Sequence, residues 1–270
     1  MATIEWPTFS EIEDGKLTAA RRQAHNAVHW LVRFAHSYIE PEDGNGHAQL
    51  VWNPRDSVIQ TKPFLDDYSV ELRVGPLEMQ FREGDKPVPH TLGFEERTPA
   101  HVEAWVLVEL LHRGIDRSRY SKDLPYTPND LMWGDHEDFE PEAFKTELCV
   151  IDQSFRAGAA VLQALRRSED SGVAADAPLS CWPEPFQIGY EISLPQGSGA
   201  KNLRIGVSPG DGVRPEPYFF VGTDQQAQTA SFTKECVVSL RDIATRKMDV
   251  DVVVGELGNI VQGLKRKLAG

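Results

Sequence analysis

The segment RQAHNAVHWLVRFAHSY, Arg22 to Tyr38, carries His25, His29 and His36. Imidazole binds transition metals through a neutral nitrogen and moves protons near neutral pH, so three in one short stretch are the first place to look for chemistry. If the segment is helical, each residue turns about 100°, which puts His29 about 40° and His36 about 20° from His25, on one narrow stripe. His25 and His29 lie one turn apart and can reach one cation. His36 lies about 10 Å beyond His29 and cannot share it. A divalent ion such as zinc held by His25 and His29 would need a further donor, and the candidates are His47, His101, Asp66 and Asp67. With a carboxylate as base on a bound water, this would be a metal-assisted hydrolase. The plainer reading is that boundary histidines hydrogen-bond to backbone and pack on aromatics. No Glu follows His25 in the H-E-x-x-H pattern, and no nucleophile elbow, Walker loop or dinucleotide fingerprint occurs.

The histidines need a helix to position them, and the sequence supplies one over residues 16–39. Leu17, Ala20, Ala24, Ala27, Val28, Leu31, Ala35, Tyr38 and Ile39 recur at helical spacing until Pro41 and Gly44-Asn45-Gly46. Extended segments are expected at 47–52, 57–61, 64–74 and 77–82. Tyr68, Val70, Leu72 and Val74 alternate, as do Leu77, Met79 and Phe81, around Gly75-Pro76, which is a hairpin signature. A helix over 98–113 starts at Thr98-Pro99 and stops at Gly114. Residues 115–140 are polar and Pro-rich and read as a linker. Helix then resumes over 141–167, strands at 186–194, 202–207, 218–221 and 234–240, and a last helix over 250–268.

This order predicts an α+β fold of two similar lobes, 16–114 and 141–268, after an irregular arm at 1–15. Each lobe is a long helix, a small antiparallel sheet and a closing helix. Pro63-Phe64-x-x-x-Tyr68-x-Val70-x-Leu72 matches Pro185-Phe186-x-x-x-Tyr190-x-Ile192-x-Leu194, and Leu77-x-Met79-x-Phe81 matches Leu203-x-Ile205-x-Val207. The match points to internal duplication, and independent hairpins with shared grammar give the same pattern. On the first reading a small molecule or protein partner is expected between the lobes, touching His29, His36, Trp182 and Tyr190, with no cofactor required. A structural, self-assembling protein whose strand edges pair between copies is the third possibility.

Bulk properties narrow the partners. The 270 residues carry 28 Lys and Arg against 41 Asp and Glu, a net charge of −13 that repels phosphate backbones, so nucleic acid is not expected. No apolar run reaches membrane-span length and the first residues lack a signal-peptide pattern, so a cytoplasmic protein without a membrane partner is expected. The three cysteines, Cys149, Cys181 and Cys236, are widely spaced, which fits a reducing compartment, and Cys149 is expected in a helix core. Asp135-His136-Glu137-Asp138 reads as solvated, and 208–214 as a hairpin loop. Seven of the eight histidines precede residue 113, so the lobes differ in chemistry.

Val28-His29-Trp30-Leu31, Phe64-LDDYSVEL-Arg73, Leu110-LHRG-Ile115, Trp182-PEPFQIGYEI-Ser193 and Pro215-EPYF-Phe220, in this order, resemble a bacterial family of uncharacterised proteins, domain of unknown function family 5996. The resemblance implies a common fold and no stated activity, and carries over only His29. Trp52 stands where the family has paired tryptophans, and an aromatic-rich block before the last strands is missing.

Overall fold

The computed structural model describes residues 4–10, 12–65, 67–168, 171–194, 200 and 202–269. They form two compact units, Ala19–Cys149 and Met1–Thr18 with Val150–Gly270. The expected boundaries are displaced: the arm groups with the second unit, and 115–140 belongs to the first.

In the first unit the histidine-bearing helix is α1 (Asp14–Tyr38). Then come β1 (Leu50–Asn53), β2 (Val58–Gln60), β3 (Tyr68–Arg73), β4 (Glu78–Glu83) and β5 (Lys86–Gly93), and then α2 (Pro99–His112). The five strands form an antiparallel meander in sequence order. Val70 and Leu72 of β3 and Met79 and Phe81 of β4 are fully buried, as their alternation predicts. Phe34 of α1 meets Phe81 edge-on at 5.1 Å, and Trp105 of α2 approaches the same ring at 6.2 Å, so both helices pack on this sheet. α2 begins with a reciprocal cap: Thr98 Oγ1 accepts from His101 N–H, and His101 Nδ1 accepts from Thr98 N–H.

The stretch 115–140 is not a free linker. It lies along α1, tied to the polar side chains of that helix. Asn26 Nδ2 donates to Asp130 O and its Oδ1 accepts from Met132 N–H at 2.8 Å. Ser37 Oγ accepts from Ser121 N–H, Gln23 Oε1 from Glu140 N–H, and Tyr38 donates its hydroxyl to Asp116 O. Arg22 forms ion pairs with Asp130 and Glu137, which hold its pKa above the ordinary value. Glu137, from the acidic run, is thereby anchored.

The second unit takes up most of α3 (Lys145–Arg166), then β6 (Ser180–Trp182), β7 (Gln187–Ser193), β8 (Asn202–Ser208), β9 (Tyr218–Thr223), α4 (Asp224–Thr229), β10 (Val237–Ser239), α5 (Leu240–Arg246) and α6 (Val250–Ala269). β6 to β10 form another sequential antiparallel meander. The arm packs here, with Trp6 Nε1 donating to Met248 O. Cys149 is exposed, against expectation, because Leu148, Val150 and Ile151 occupy the buried positions of α3.

Candidate functional site

α1 brings His25 and His29 together, with ring centroids 4.5 Å apart. His29 is fully buried, its Nδ1 lies 3.1 Å from the Tyr126 hydroxyl, and its Nε2 is enclosed without a hydrogen-bond partner. Among the described residues no third His, Cys, Asp or Glu completes a donor set around the pair. Of the candidates for that place, His101 caps α2 and His47 pairs with His36, at 3.0 Å between Nδ1 of His36 and Nε2 of His47. Asp67 packs beside Gly84, and Asp66 falls outside the described residues. His47 Nδ1 accepts from Glu42 N–H, so its Nε2 carries the proton and donates to His36. Burial and His36 lower the pKa of His47.

Burial, followed by the charges of His25 and Arg33, lowers the pKa of His29 well below 6.5. As pH falls through 6.5 the unfolded chain takes up the proton first. Stability is therefore retained above that pH and lost below it, until the folded value is reached. Thermal unfolding between pH 7 and 5 should show a slope that is shallower in His29→Gln by up to about 1.4 kcal/mol per pH unit, one proton's worth. Parallel slopes would mean that His29 is protonated when folded.

Two other expected ligand contacts are packing residues. Tyr190 is 1% exposed and lies against Arg166 of α3, 5.4 Å from the guanidinium. Trp182 is buried with Tyr218, Phe220 and Phe232, against which Ile260 and Leu264 of α6 pack, and Arg204 covers its ring at 4.6 Å. In the 208–214 loop Asp211 Oδ1 accepts from Val213 and Arg214 N–H.

The residue that sequence reasoning passed over is Arg33, one turn beyond His29. It is 8% exposed, its Nε donates to Lys122 O, and its guanidinium lies 4.3 Å from the centre of the Trp30 ring. No carboxylate among the described residues lies within ion-pair distance of it; Glu103 and Asp123 act on it only through space. Burial accordingly lowers its pKa. Arg33 lines a cavity of about 250 Å³ with Trp30, Pro99, Glu103, Lys122, Met132 and Trp133 among its walls. The sequence signal was a lone cation inside the apolar run from Ala27 to Ala35, a position that demands a partner.

Comparison with family models, curated proteins and solved structures gives no match.

The cavity's charges are unequal. Glu103 is taken up by Lys122 at 2.6 Å, which leaves Arg33 as the surplus. α2 points its N-terminus here through Pro99 and Ala100, but Ala100 N–H already bonds Gly134 O and His101 N–H bonds Thr98 Oγ1. The helix therefore contributes only its field. Trp133, 66% exposed, forms an apolar rim. A larger concavity of about 690 Å³ in the second unit is lined by Trp6, Gln163, Arg167, Lys247, Asp249 and Asp251 among others. Arg167, Lys247, Asp249 and Asp251 are all exposed, so it offers volume without a buried charge that needs an ion. Among the described residues no helix is long and apolar enough to cross a membrane.

Proposed function

We propose that the protein binds a small monoanion with an apolar body, such as an aromatic carboxylate, in the Arg33 cavity. The observation that carries this reading is the buried guanidinium without an acidic partner. A desolvated cation is costly unless a counter-ion reaches it, and arginine's planar fork donates two parallel hydrogen bonds to a carboxylate. Trp30, Pro99, Met132 and Trp133 offer an apolar wall for the rest of the ligand. The small volume favours a ligand of about ten heavy atoms, below the usual ~300 Å³ of drug-sized sites. This keeps the small-ligand expectation from the sequence and moves its seat into the first unit.

Benzoate and its neutral isostere benzamide test the proposal, read by quenching of tryptophan fluorescence and by calorimetry. Benzoate should bind about tenfold or more tightly than benzamide, and Arg33→Met should erase the difference, equivalent to ~1.4 kcal/mol or more. Equal affinity for both compounds, or discrimination that survives Arg33→Met, would refute it.

Kinship of the two units is a separate reading. In support, each has a sequential five-strand meander led in by a long helix. Against a residue-level match stands the strand register. Val70 lies opposite Phe81, whereas its sequence counterpart Ile192 lies opposite Leu203, the residue aligned with Leu77. Similar topology is therefore the extent of the support.

A further inference from the structure

We propose that His90, Glu109 and His112 form a site for a divalent transition-metal ion, with Zn²⁺ the first candidate. The cluster is in the first unit and is independent of the Arg33 cavity. Glu109 and His112 lie three residues apart on α2 and share a face of the helix. His90 comes from β5. The ligand atoms of the three residues lie within 4.8 Å of one another. His90 Nδ1 is 3.3 Å and His112 Nδ1 3.6 Å from the same oxygen, Glu109 Oε1. Tetrahedral zinc with bonds near 2.1 Å separates its donors by about 3.4 Å, so a small rotation of the two imidazoles would close the set.

Backbone geometry supplies an independent argument. The pairing of β4 with β5 slips between Gln80 and Arg82, which lie opposite Thr91 and Pro87 respectively. Val88, Pro89 and His90 are taken up in this bulge, held by Gln80 Nε2 donating to Val88 O at 2.6 Å. His90 has φ +76°, a left-handed conformation that a side chain other than glycine's adopts at a cost. Bulges re-aim side chains, and this one turns His90 toward α2.

The carboxylate is also held in place. Glu109 is 2% exposed, and its Oε2 is bound by Arg113, which in turn rests on the Phe81 ring at 4.2 Å. Arg113 fixes the carboxylate and leaves Oε1 for the ion. Both histidine side chains are more than half exposed, so at least one coordination position would remain open to solvent. Two neutral imidazoles and one carboxylate with an open position are a donor set suited to Zn²⁺ and to Fe²⁺, Mn²⁺ or Co²⁺.

Zinc titration of chelator-treated full-length protein tests the assignment by calorimetry, and Co²⁺ absorption reports the geometry. One equivalent of Zn²⁺ should bind, and affinity should fall about tenfold or more in His90→Ala and in His112→Ala while His25→Ala binds as wild type. The substituted histidines are exposed, and unchanged urea unfolding of the metal-free variants confirms that they fold. Absence of saturable binding, or affinity that is unchanged in His90→Ala and His112→Ala, or affinity that falls with His25→Ala instead, would overturn the proposal.

Discussion

Replacing Glu71 by alanine is expected to destabilise the first unit by about 3 kcal/mol, the low end of the range for breaking a buried ion pair. Glu71 is fully buried on the β3 face opposite Val70 and Leu72. Its Oε2 accepts from Arg82 Nη1 at 2.6 Å, and its Oε1 lies 2.8 Å from Arg73 Nη2. Burial opposes the charge on Arg82, yet the bond to Glu71 together with the charges of Glu71, Asp56 and Asp85 outweighs it, and the pKa is raised. Without Glu71 the buried Arg82 keeps only Asp56, at 3.1 Å, and the Asp85 carbonyl. Asp56 keeps the loss from reaching the ~5 kcal/mol of a fully stranded charge. Glu71→Gln, which keeps one acceptor, should fall between alanine and wild type in urea unfolding. If alanine costs less than glutamine, the network is screened by water and contributes little.

That network shows what the sequence hid. The alternation in β3 and β4 marked one buried face, and Val70, Leu72 and Phe81 lie on it. The same alternation puts Ser69, Glu71 and Arg82 on the opposite face, yet all three are buried. The helices were legible because their apolar residues repeat at 3.6, and α1 and α2 lie within two residues of expectation. β5 was missed because Pro87 and Pro89 break the strand pattern at a bulge. The three-residue β6 and the short α4 and α5 were missed because they are too brief to show a period. The segment 115–140 was misread because its attachments run from Asn26, Ser37 and Gln23 to backbone, a code without periodicity.

For the sites, the histidine stripe was visible and its neighbour Arg33 was not singled out. A cavity arises where α1, α2 and the 115–140 stretch converge, and no one segment announces it. The Glu109-x-x-His112 pair was on view in the sequence, and its partner His90 lies nineteen residues earlier, brought in by a bulge that only the fold defines.

Gly189→Ala should destabilise the second unit by about 3 kcal/mol, the upper end for overpacking. Gly189 in β7 pairs with Gly206 in β8. A Cβ on Gly189 would press on the Ile205 carbonyl oxygen and lie 2.8 Å from both Gly206 Cα and Trp182 Cζ3. Two of these three atoms are backbone, so no rotamer change relieves them, and the third belongs to a ring already fixed beneath Arg204. The bare glycine pair is what allows the Trp182 and Phe220 rings to approach β7 and β8 so closely, which explains why Trp182 is part of the core. Gly212→Ala is the control: nothing lies within 4 Å of the added carbon, and the change should stay within about 0.5 kcal/mol. Equal urea midpoints for the two variants would mean that β7 and β8 separate to admit a methyl group, and the tight sheet under Trp182 would then have no basis.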